Sequence, residues 1–73
     1  MSKKYFFMYA AFASGACYAH GLRTKHAAVA MYNRAATFRG PDKIGVSLRR
    51  LTECEARLTL GEKFNPVVIK LYD

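Results

Sequence analysis

Only two prolines, two cysteines and five acidic side chains occur in the 73 residues, and each shortage removes a class of chemistry. Acids this few and this scattered do not make the paired carboxylates of general acid and base catalysis. Cys17, His20, His26 and Cys54 are the only soft metal ligands. Cys17-x-x-His20 has half of a zinc-like spacing, but Cys54 has no second ligand one helical turn away, so the expectation is ordinary thiols and no metal. Nothing marks out the third group that would orient a cysteine–histidine nucleophile, and no phosphate-cradling glycine pattern occurs. The sequence therefore reads as a non-enzymatic protein without a cofactor. A Cys17–Cys54 disulfide is not expected in a reducing compartment.

Long hydrophobic runs are missing too. Lys3 and Lys4 precede an uncharged stretch from Tyr5 to Ala19, in which Ala11-Phe12-Ala13 has the small-x-small form of a signal-peptidase site and Ser14-Gly15-Ala16-Cys17 approaches a lipoprotein box. That stretch is shorter than the ~20 residues that span a bilayer as a helix. It is interleaved with Tyr5, Tyr9 and Tyr18 and contains no Leu, Ile or Val, so its transfer energy is modest. The expectation is a cytoplasmic protein with no membrane partner.

What is present is a 52% apolar composition, enough for a core and too much for a disordered tail. Residues 1–73 read as a single domain. So short a chain buries only about 60% of its unfolded surface and is marginal alone, so help from a partner chain is expected.

Lys4 to Ala13 reads as a strand with two apolar faces, Tyr5, Phe7, Tyr9, Ala11 and Ala13 on one and Phe6, Met8, Ala10 and Phe12 on the other. A strand buried on both sides belongs inside a sheet. Ser14-Gly15 ends it in a turn. After Asn65-Pro66, the run Val67 to Tyr72 predicts a last strand, with Lys70 on the less buried side suiting an edge. Ser47 to Leu60 predicts a helix capped by Ser47 and closed by Gly61, with Leu48, Leu51, Cys54 and Leu58 as its packing stripe and Arg49–Glu53 and Glu53–Arg57 as i,i+4 pairs. Leu51 and Leu58 are expected under the sheet.

Thr24 to Phe38 is alanine-rich, and Ala28, Met31, Ala35 and Phe38 fall on one helical stripe. A two-stranded sheet is barely stable, however, so this segment is the preferred place for a third strand. The predicted fold is α+β, a three-stranded antiparallel ββαβ sheet of order 2-1-3 with one helix on one face. The alternative takes residues 24–38 as helical, giving βααβ.

The net charge of +7 is uneven. Residues 23–50 hold Arg23, Lys25, Arg34, Arg39, Lys43, Arg49 and Arg50 against Asp42 alone, whereas residues 51–73 carry a net negative charge. Such a field steers toward polyanions or acidic protein faces. Tyr18 and Tyr32 are the candidate aromatic anchors within this basic setting, since Tyr and Arg dominate binding hot spots. The residues scatter through a segment containing Gly40-Pro41 rather than along one helix face, which favours a protein interface over phosphate contact.

Lys4-Tyr5-Phe6 with Tyr9 three residues on, the Ser47 helix start and Val67-Val68-Ile69 followed by Leu71-Tyr72 resemble a group of small proteins from tailed phages and prophages. Members share an aromatic first strand, a glycine-containing hairpin, one helix and a β-branched last strand; residues 33–46 look like an insertion. The resemblance implies an accessory factor that binds and redirects host machinery, of the kind that inhibits bacterial defence systems. It carries no functional residue onto this chain. The expected partner is a host protein or nucleoprotein complex with an acidic surface. The alternative is a sequence-nonspecific nucleic-acid-binding protein, with a small membrane or lipid-anchored protein a weaker reading; nucleic acid and a second copy of the chain are the further candidate partners.

Overall fold

Alternation along β1 (Tyr5–Ala11) sends Tyr5, Phe7, Tyr9 and Ala11 to one side of a sheet and Phe6, Met8 and Ala10 to the other, and the fold covers both sides. The computed structural model describes residues 3–37 and 43–72, the Lys43 side chain excepted. β1 pairs antiparallel with β2 (Cys17–Leu22), Phe7 lying opposite Gly21 and Tyr9 opposite Ala19. The connecting turn is closed by Gly15 N–H donating to the Phe12 carbonyl at 2.9 Å. Gly15 has φ +96°, a conformation that only glycine adopts without strain. The turn expected at Ser14-Gly15 is therefore present.

From β2 the chain enters α1 (Lys25–Ala35), capped by the Thr24 hydroxyl, which accepts from Ala27 N–H at 3.1 Å. It returns as β3 (Lys43–Leu51) on the other side of β1, crosses again through α2 (Glu53–Gly61), and ends in β4 (Val67–Leu71) beside β2. The sheet order is β3-β1-β2-β4, with β2 and β4 parallel and the pairs involving β1 antiparallel. Both crossovers join parallel strands, and they run in opposite directions across the sheet. A shared right-handed sense then demands one helix on each face.

The core is divided accordingly. On the α2 face Tyr5, Phe7, Cys17 and Ala19 pack with Ala56 and Leu60. On the α1 face Met8 and Leu22 pack with Ala28, flanked by Phe6, Met31, Tyr32 and Val46. The two apolar sides of β1 are thus covered within the chain, by a helix on each face where one helix on one face was expected.

The α+β class stands, but the sheet has four strands and is mixed, not three and antiparallel. Residues 25–35 are helix, as in the βααβ alternative. The Thr24 cap and the alanines prevail because the strands missing from the count lie elsewhere, at 17–22 and 43–51. The last strand pairs with β2, leaving the place beside β1 to β3.

The helix expected from Ser47 begins only at Glu53. Thr52 is its cap: Glu55 N–H donates to the Thr52 hydroxyl at 3.2 Å and Thr52 N–H donates to the Glu55 carboxylate at 2.8 Å. This reciprocal capping box outcompetes the Ser47 start. Ser47 to Arg49 instead lie where the β3 register shifts, from Phe6 opposite Arg50 to Met8 opposite Val46. The helical stripe moves with the start. Ala56 and Leu60 are buried, whereas Cys54 is exposed, Leu48 is 49% exposed and Leu58 is 73% exposed. Leu51 does pack against the α2-face core, as expected, but from a strand. Arg49, on that strand, makes no helical pair with Glu53; Glu53 and Arg57 do pair, at 2.8 Å. Phe38, Arg39 and the Gly40-Pro41 turn lie outside the described residues.

Candidate interaction surface

The two faces differ in how completely they are covered. On the α2 face, Phe64 continues the cover beyond the helix, its ring 6.0 Å from that of Tyr9. The β3 register shift leaves a cavity of about 150 Å³ there, lined by Phe7, Tyr9, Leu51, Leu60 and Phe64 together with Lys63. Gly45 lies opposite Tyr9, and a Cβ there would stand 2.9 Å from the tip of the Tyr9 ring, which would have to shift to admit it.

On the α1 face the helix lies mainly over β1, β3 and part of β2. The turn end of β2 and β4 is left open. The pairing places Ile44, Ala10, Tyr18 and Val68 in one row across all four strands. Tyr18 is 45% exposed and Val68 46%, and Phe12, 37% exposed, sets its ring edge-on to Tyr18 at 5.3 Å. These three form a contiguous apolar patch on a hydrogen-bonded sheet.

The next row holds Met8, His20 and Lys70. His20 Nδ1 lies 3.0 Å from the Tyr72 hydroxyl, and Lys70 Nζ stands 5.5 Å from the Tyr72 ring centre. Burial, and secondarily the Lys70 charge, push the His20 pKa below its ordinary value. His20 is thus held toward its neutral form beside the open patch.

Among the described residues, the basic middle segment is divided between the two ends of the sheet. Arg23 follows β2, Lys25 opens α1, and Arg50 lies opposite Phe6, its guanidinium 5.8 Å from that ring. Together with Arg49, Lys3 and Lys4 they gather at the end of the sheet where β1 begins. Glu55 answers them there: the Thr52 backbone N–H and hydroxyl hold its carboxyl below the ordinary range, and Lys4 and Arg49 add attraction. Arg34 sits in the last turn of α1, where a cation favours the helix dipole, and Lys43 opens β3 opposite Ala11, at the far end. Of the two aromatic anchors, Tyr18 is exposed and Tyr32 packs against the Met8 cluster.

Period-two alternation separates Cys17 from His20. Cys17 is buried on the α2 face, where burial raises its thiol pKa, while His20 faces the other side, so the zinc-like spacing brings no ligands together. Among the described residues no three His, Cys, Asp or Glu side chains converge as a metal site, both cysteines are free, and no helix is long and apolar enough to cross a membrane. Phe12, Val68 and Lys70 are surface members that the sequence reading did not select. Their signal was available: the turn at Gly15 sets Phe12 beside Tyr18, and alternation in the last strand sets Val68 and Lys70 on one side. Searches against protein families, characterised proteins and solved structures found no match to the chain.

Proposed function

We propose that this is a small non-enzymatic binding protein, an accessory factor of a phage or mobile element, that docks on a host protein or nucleoprotein complex with an acidic surface. The observation that carries the reading is the exposed cluster of Phe12, Tyr18 and Val68. A contiguous apolar patch on a small protein is costly to leave in water and commonly marks an interaction site. Tyr is suited to anchor such a contact, offering a large rigid ring with a polar tip. The cations at the β1-entry end would raise the association rate toward an acidic partner and act mainly on encounter.

The gathering of Arg23, Lys25, Arg49 and Arg50 at one end favours a second reading, a sequence-nonspecific nucleic-acid binder, in which Tyr18 stacks on a base. Capture from a bacterial host lysate with and without nuclease separates the two. The protein reading expects a discrete host protein retained after nuclease. The nucleic-acid reading expects loss on nuclease treatment, and a binding constant whose log-log salt slope falls by roughly 0.7 to 0.9 for each phosphate-contacting arginine removed.

A further inference from the structure

The two edges of the sheet are unlike. β3 is interrupted by the register shift at Ser47–Arg49, a device that blunts an edge against further pairing. β4 runs without interruption from Val67 to Leu71, each residue in register with β2. Its orientation follows from the hydrogen bonds at its ends: the Pro66 carbonyl accepts from Cys17 N–H, and Tyr72 N–H donates to the Gly21 carbonyl. Groups alternate along a strand, so residues 66, 68, 70 and 72 bond inward to β2, and Val67, Ile69 and Leu71 direct N–H and C=O to the open edge.

The sequence of this edge is self-complementary about Ile69. We propose that β4 pairs antiparallel with β4 of a second copy of the chain, on a two-fold axis at Ile69, joining two sheets into one. In that register each Ile69 N–H donates to the other copy's Ile69 carbonyl, and Val67 exchanges the same bonds with Leu71 of the other copy. Val67, Ile69 and Leu71, half-buried on the α2 face, become neighbours of one another across the join. On the other face Val68 stands opposite Lys70, so no two lysines meet. The antiparallel arrangement also sends the cationic β1-entry ends of the two copies to opposite ends of the joined sheet, keeping the +7 charges apart. An isologous contact of this kind closes at two copies, because each copy's other edge is the interrupted one. The pairing uses the backbone edge of β4, whereas host docking is proposed for the sheet face of Phe12, Tyr18 and Val68, so Val68 borders both surfaces and the readout here is mass, not host binding.

Sedimentation of the full chain over a concentration series, with Val68→Lys and Val68→Glu variants, tests it. Val68 is 46% exposed, so both variants should keep the wild-type circular dichroism spectrum. The wild type should reach the mass of two chains. Val68→Lys should weaken association about tenfold, because it sets like charges face to face at two symmetry-related pairs. Val68→Glu should tighten it through the same pairs, and Val68→Lys combined with Lys70→Glu should restore it. A chain still monomeric at about 1 mM, where even weak interfaces fill, overturns the proposal, as does a dimer whose affinity both Val68 variants leave unchanged.

Discussion

The α2 face and the α1 face are built on the same four strands, yet one is covered along its length, apart from the cavity beside Tyr9, and the other is half open. β1 supplies apolar side chains to both, so strand sequence does not make the difference; helix placement does. Phe7 is 1% exposed under α2, with Phe64 extending the cover to Tyr9. On the other face Met8 is 2% exposed under α1, while Tyr18, one row along, is 45% exposed. Apolar alternation thus identifies a sheet face without saying which part of that face a helix will reach. The uncovered part is where an interaction surface can form.

The sharpest way to break this comparison is to truncate one side chain from each region. Phe7→Ala should destabilise by about 3 to 5 kcal/mol, a large share of the stability of so small a domain, read as a collapse of the melting temperature or as insoluble protein. Tyr18→Ala should change stability by less than about 1 kcal/mol. Comparable losses at the two positions would mean that the Tyr18 patch is core.

A smaller effect probes packing of the α2 face from its backbone side. A Cβ at Gly21 would lie 2.7 Å from the Phe7 ring and 2.8 Å from Leu71. Gly21→Ala should therefore cost about 1 to 3 kcal/mol by overpacking, measured by denaturant unfolding. A neutral result would show that the α2-face core is loose.

The start of α2 separates the two residues that compete to cap it. Thr52→Ala should cost about 1 kcal/mol by removing one arm of the capping box, and Ser47→Ala should fall within about 0.5 kcal/mol. The reverse order would return the helix start to Ser47. Leu58→Ala belongs with the small effects because Leu58 is 73% exposed.

The least of these effects is a pH dependence confined to the open face. His20 has a folded pKa below its ordinary 6.5, so as pH falls the unfolded chain takes up a proton before the folded one does. Its contribution to stability is full above about pH 6.5 and is lost as pH falls from there through the folded pKa. Glu55, also lowered from its ordinary 4.5, loses its contribution only below that value. A His20→Asn variant should remove the decline in the upper window and keep the lower one, as read by melting temperature against pH.

Several elements were legible in the sequence because local chemistry and burial agree there. The aromatic alternation of β1, the Gly15 turn, the β-branched run of β4 and the Glu53–Arg57 pair all stand. The middle was harder because local signals compete. Ser47 is a sound cap followed by leucines at helical spacing, but Thr52 with Glu55 three residues later satisfies two backbone groups at once and moves the helix. β2 was hidden by its own Gly21, a residue that weakens strand propensity and is needed here because Phe7 and Leu71 occupy the space of a side chain. Demanding a third strand from the alanine-rich segment followed from missing that one. For the site, Tyr18 was visible as an aromatic in a basic chain, but its exposure depends on where α1 ends its cover, a tertiary fact. The basic segment shows the same dependence on tertiary structure: Arg23, Lys25, Arg49 and Arg50 come together at one end of the sheet, while Lys43 opens β3 at the other.

Whether the open half of the α1 face carries binding can be measured directly on the host partner retained after nuclease treatment, by titration calorimetry of Tyr18→Ala against Arg50→Gln. The account predicts that Tyr18→Ala weakens affinity by about 2 kcal/mol or more, a loss of roughly thirtyfold. Arg50→Gln should change affinity several-fold at most, and mainly through the association rate. Wild-type affinity for Tyr18→Ala, or a larger loss for Arg50→Gln, would contradict it and move the site to the cationic end of the sheet.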